Sequence, residues 1–161
     1  METTNLPGGQ GTSRSTIVVA TVAAVGAIVA LAIGTYGRVH TPTGQGITSF
    51  GFPAVLPMKA WFTTGAFALG LVQLVTALRM WDRIRVPRIM PSWLPTLHRW
   101  SGTAAFVLVL PVAYHCLWAL GFQDTTTRQL VHSVLGCAFF GAFTTKMLAL
   151  RSDRLPRWAL P

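Results

Sequence analysis

Three histidines carry the chemistry this sequence can offer: His98, His115 and His132, each in or at the edge of a long apolar stretch. Two of them head the same short pattern, His98-Arg99-Trp100-Ser101-Gly102 and His132-Ser133-Val134-Leu135-Gly136. On a helix, residues four apart share a face, so each glycine leaves a notch without a side chain beside the imidazole. A flat metal macrocycle needs such a notch, and neutral imidazole nitrogen is a common metal ligand. Phe139 and Phe143 fall on the same helical face as His132 and Gly136. Pro111 stands one turn before His115, where its missing N–H frees a carbonyl and can tilt the imidazole that follows. Imidazoles, a notch and two aromatic rings together suit a porphyrin, whose iron takes histidine as an axial ligand.

The elements that must position these groups are membrane spans. The chain has 161 residues, 52% hydrophobic and 11% charged, with a mean hydropathy of +0.51, whereas a soluble domain carries roughly a quarter charged residues. About 20 apolar residues cross a hydrocarbon core as a helix. Four stretches are long enough: Thr16 to Tyr36, Ala60 to Leu78, Leu97 to Leu120 and Leu130 to Leu150. The expected fold is therefore all-α, an integral membrane four-helix bundle over residues 16–150.

The net charge of +9 raises the question of nucleic acid, and its distribution answers it. With the N-terminus in the cytoplasm, Arg14, Arg79, Arg83, Arg85, Arg88, Arg99, Lys146, Arg151, Arg154 and Arg157 lie inside, and Arg38, Lys59 and Arg128 outside. That asymmetry obeys the positive-inside rule with both termini cytoplasmic. The basic loops then face anionic lipid, and no nucleic-acid partner is expected. A multi-pass protein of the bacterial inner membrane is the localisation this implies.

The first apolar run also has features of a signal peptide, including Ala30-Leu31-Ala32 as a small-residue cleavage site. Ile17 to Ile33 is longer than a signal core of about 7–15 residues. Gly26, Ala30 and Gly34 repeat every four residues, a flat face for close approach of another membrane helix, so a span is expected. Met1 to Ser15 is rich in Thr, Gly, Ser and Pro and is expected to be a disordered tail. Residues 151–161 form a short basic tail. The loop Gly37 to Pro57 carries six Gly and Pro residues beyond Gly37, at 42, 44, 46, 51, 53 and 57, and could cap a site from outside.

Helix direction sets the depth of each histidine. His98 lies at the cytoplasmic end of span three, and His115 about 25 Å further along the axis. His132 and His115 both fall within roughly 10 Å of the outer ends of their helices. The short turn from Gly121 to Arg128 makes spans three and four the expected antiparallel neighbours. His115 and His132 are then candidate axial ligands of one haem b, with Gly136, Phe139 and Phe143 around the ring. His98, at the opposite face, would need a second ligand from another copy or subunit. His40, in the outer loop, reads as a solvated histidine that could alternatively serve the outer site.

Other chemistry finds little support. Cys116 and Cys137 make no recognised metal spacing and read as small buried thiols. Met58, Met80, Met90 and Met147 are scattered over both membrane faces and make no copper site with His115 and Cys116. Gln73, at mid-membrane in span two, should hydrogen-bond to another helix, a quinone being the alternative. Hydrolysis and phosphoryl transfer lack their groups.

Leu97-His98-Arg99-Trp100-Ser101-Gly102, His115 and Leu130-Val131-His132-Ser133-Val134-Leu135-Gly136 together resemble the haem-binding helices of ferric-reductase-like and related transmembrane b-type cytochromes. The resemblance covers Leu97 to Leu150 and implies a helical bundle that carries b haem and moves electrons. Those families usually hold paired histidines at each face. Here His98 stands alone at the inner one, so a single haem is expected. The whole cassette, through Leu155-Pro156-Arg157-Trp158-Ala159-Leu160-Pro161, is also similar to an uncharacterised bacterial membrane family whose members often have a fifth span. This chain is expected to be a shortened member.

The expected function is an electron-transfer subunit and not a stand-alone enzyme. Its partners would be the bilayer, a redox protein or a quinone, and a homo- or hetero-oligomer is possible. The competing expectation is a cofactor-free structural or assembly subunit held by the small-residue faces of spans one and two. A transporter ranks third, because no broken-helix pair is legible.

Overall fold

A computed structural model describes residues 9–46, 48–84 and 89–152. Among these the chain is all-helical: α1 (Gly9–Val39), α2 (Val55–Met80), α3 (Leu94–His115), which runs on into one π-helical turn (Cys116–Leu120), and α4 (Thr127–Leu150). All four are long and apolar enough to cross a membrane, as Ser15–Val39, Val55–Met80, Leu94–Leu120 and Thr127–Leu150. Their surfaces agree with that. Among the described residues the buried apolar ones are Met58, Ala66, Leu94 and Ala119, while Leu31, Leu56, Trp61 and Phe67 are each two-thirds exposed or more. Apolar exposure on this scale needs hydrocarbon around it. This is the surface of a multi-pass membrane protein.

Each helix is longer than its apolar run, for local reasons. Pro57 lies in the first turn of α2 and Pro95 in that of α3, where the backbone N–H has no partner to lose. Thr126 caps α4 by accepting a hydrogen bond from the Gln129 amide at 3.3 Å. The expected disordered tail is corrected in part. Residues 1–8 lie outside the described residues, but Gly9 to Ser15 are helical. Adding turns to an existing helix avoids the nucleation cost, so a polar stretch can extend one. Of the basic tail, only Arg151 and Ser152 lie within the described residues.

The helices sort into two compact units, α1 with α4 and α2 with α3. In the first, α1 and α4 are antiparallel and touch through small residues. A Cβ on Gly141 would come within 2.5 Å of the Gly26 carbonyl oxygen and 2.9 Å of the Ala30 Cβ, and one on Gly34 would meet Cys137 Sγ at 3.6 Å. Thr145 Oγ1 donates to the carbonyl of Gly141 at 3.1 Å, the helix's own preceding turn. At one end of this pair the Phe122 amide bonds to Gly37 O at 2.7 Å, and Arg38 pairs with Asp124.

In the second unit α2 and α3 are also antiparallel, with Gly65 against Leu108 and Gln73 against Gly102. The short turn after α3 made α4 its expected neighbour; the packing seen for α3 is with α2, and for α4 with α1. Gly121 ends the π-helical turn at φ 70° and ψ −168°, a backbone that only glycine adopts readily.

Candidate functional site

Each predicted histidine has its own surroundings, and they differ in kind. His98 belongs to a polar cluster between α2 and α3. The Gln73 amide nitrogen donates to the His98 carbonyl and, at 2.7 Å, to Ser101 Oγ. The Ser101 hydroxyl donates to Leu97 O at 2.8 Å. Thr76 Oγ1 lies 2.7 Å from Val72 O and 2.7 Å from His98 Nδ1. Two oxygens at that separation need a proton between them, and only the Thr76 hydroxyl can supply it. Thr76 is then placed to accept from His98 Nδ1–H.

The same cluster corrects one expectation. Gly102 was to leave a notch for a macrocycle beside His98. Instead the Gln73 carboxamide lies there, so that a Cβ on Gly102 would meet Gln73 Oε1 at 3.0 Å. The expected bond from Gln73 to another helix is present, and the glycine serves it.

His115 ends α3 just where the helix widens into its π turn, a local irregularity frequent at functional sites. The loop between α1 and α2 is fastened to that turn. Thr43 N bonds to Trp118 O at 3.2 Å and Gly44 N to Ala119 O at 3.0 Å. His40 Nε2 lies 3.2 Å from Trp118 O, so it donates there, and its ring stacks on Trp118 at 4.7 Å. His40 thus holds the loop down, a role sequence reasoning missed; Trp118 gave no signal for it. Gly46 covers one edge of the His115 ring, since a Cβ there would lie 3.1 Å from Cε1 and 3.2 Å from Nδ1. A cavity of about 330 Å³ opens beside the ring, lined by residues of α3, the π turn and the loop. The Pro- and Gly-rich loop does cap this position.

His132 stands on an exposed face of α4. Nothing lies within 4 Å of where a Gly136 Cβ would be, so the second notch is open. Phe139 is 45% exposed, and its ring lies 6.4 Å from that of Phe143 at an interplanar angle of 27°. His115 belongs to the α2/α3 unit and His132 to the α1/α4 unit. Both cysteines are half-buried and free, in keeping with small thiols in helix packing.

Outside the spans, one carboxylate is perturbed. The Arg38 guanidinium, by hydrogen bond and then by charge, holds the Asp124 carboxyl below its usual range. Phe122 lies under the same guanidinium at 5.9 Å.

Four apolar helices with imidazoles near their ends define a multi-pass membrane protein with ligand-capable positions. The chain matches a family of unknown function, DUF6529, over residues 18–161, and it belongs to that family. No ferric-reductase or cytochrome b family matches it. No curated protein and no solved structure matches it either.

Proposed function

We propose that this protein is a membrane b-type cytochrome-like electron-transfer subunit of the bacterial inner membrane, with both termini cytoplasmic. His115 and His132 would be the residues that hold one haem b. One observation carries the reading: on α4 an exposed imidazole, an unfilled notch at Gly136 and the stacked rings of Phe139 and Phe143 share one face. Within the α1/α4 pair nothing fills that notch. Gly26 and Gly141 are glycines because another backbone lies against them, whereas Gly136 has no such neighbour.

The donor set fits the group. Imidazole is a usual axial ligand in b-type sites, and open space beside it admits the ring. Gly136 gives clearance, Phe139 and Phe143 offer a flat apolar wall, and His132 and His115 supply nitrogen. When bound, haem b supplies a one-electron couple. The protein sets its potential through ligand identity, burial and nearby charge.

A cofactor-free structural subunit is the second reading, favoured by the Gln73 amide that fills the notch at Gly102. Visible spectra of protein purified in detergent from haem-replete cells decide between them. Sharp b-type bands on dithionite reduction, lost in both His115→Ala and His132→Ala, support the cytochrome. A colourless wild-type protein leaves the structural subunit.

A further inference from the structure

We propose that the cavity beside His115 binds the headgroup of a membrane quinone. Its volume of about 330 Å³ is at the low end of the roughly 300–1,000 Å³ of small-molecule sites, suited to one or two fused rings. Tyr114 and Trp118 on its wall are nearly parallel, 6.1 Å apart at 14°, and Phe50 of the loop also lines it. Offset stacking between such rings is favourable.

The polar groups complete the description. The wall is mostly apolar and contains three hydrogen-bonding side chains: the His115 imidazole, the Gln45 amide and the Thr48 hydroxyl. The Gln45 amide can donate to a carbonyl oxygen, and so can the His115 ring nitrogen that is not given to a metal. Among the described residues that line the cavity there is no carboxylate, lysine or arginine. Aromatic walls, hydrogen-bonding side chains and a place at the end of a membrane-length helix together fit the planar, carbonyl-bearing ring of a membrane quinone.

The cavity is also built, not incidental. Loop backbone is tied to the π turn by the amides of Thr43 and Gly44. Thr43 Oγ1 donates to Gln45 O at 3.2 Å, and Thr48 Oγ1 accepts from Phe50 N at 3.2 Å. Phe50 itself has φ 49°, a left-handed conformation that a bulky residue adopts only when its surroundings enforce it. Strain of this kind collects at ligand sites.

As the redox partner of an electron carrier, the quinone rests on the function proposed above; as a binding site it does not. The test is equilibrium dialysis of the detergent-purified protein against menadione and against a decyl-tailed benzoquinone. Wild type should bind in the micromolar range. Leu110→Phe, which fills the cavity, and Tyr114→Ala should weaken binding tenfold or more, while Tyr114→Phe should retain it. Circular dichroism on each variant separates loss of the site from loss of the fold. Equal affinity in wild type and Leu110→Phe, or no wild-type binding below millimolar, would overturn the proposal. A colourless protein that binds quinone would refute the haem reading alone, and a red one that does not would refute this one alone.

Discussion

Alanine at Gly136 and at Gly141 should have opposite effects on stability, although the two glycines are five residues apart on one helix. At Gly136 a new methyl meets nothing within 4 Å. The substitution therefore keeps only the helix-propensity gain of about 0.5–1 kcal/mol. At Gly141 the same methyl would lie 2.5 Å from the Gly26 carbonyl oxygen and 2.9 Å from the Ala30 Cβ. Backbone cannot yield as a flexible side chain does, and such overpacking costs about 1–3 kcal/mol, more than the propensity gain. The two variants should differ by about 2 kcal/mol, which at about 2–4 °C per kcal/mol in a chain of this size separates their melting midpoints by several degrees. Thermal unfolding of haem-free protein in detergent, followed by circular dichroism, measures this. If Gly136→Ala melts as low as Gly141→Ala, the face of α4 bearing His132 is packed and the reasoning fails. In haem-loaded preparations Gly136→Ala should lose Soret absorbance although its apoprotein is intact.

Two further outcomes follow from the hydrogen bonds. In ¹⁵N-histidine spectra His98 should appear protonated at Nδ1 in wild type and in Thr76→Ser. Thr76→Val should shift it toward the other tautomer and lose about 0.6 kcal/mol of helix-pair stability; an unchanged tautomer would show that Thr76 does not hold the ring. Asp124, lowered by Arg38, contributes stability that is present above the unfolded carboxyl value of about 3.9. That contribution is lost as pH falls through its lower native value. The difference in melting midpoint between wild type and Asp124→Asn should accordingly be visible at pH 6 and vanish in strong acid, and a difference that persists there would remove the pair from the account.

The spans were legible because hydropathy is summed over some twenty residues, and no single side chain can mislead it. Partnership was not. The close-packed surfaces are Gly26 and Ala30 against Gly141, and Gln73 against Ser101 and Gly102, which no connection length specifies. The two His-x-x-x-Gly patterns make the same point. In sequence they are equivalent, but one notch holds a glutamine from α2 and the other is open. What separates them lies 29 positions before Gly102, on another helix, and no local pattern carries it. His40 as the clamp on the π turn depends on a contact with Trp118, 78 residues away.

The pairing of α1 with α4 sets an order of assembly. Ribosomes deliver about 5–20 residues per second, so α2 can meet α3 soon after both have been made. α1 must wait on the order of ten seconds for α4, its Gly26, Ala30 and Gly34 face turned to lipid meanwhile. A chain that stalls before Thr127 leaves α1 an orphan with an adhesive surface. Membrane quality control should therefore recognise incomplete copies through their first helix, whatever the later ones bind.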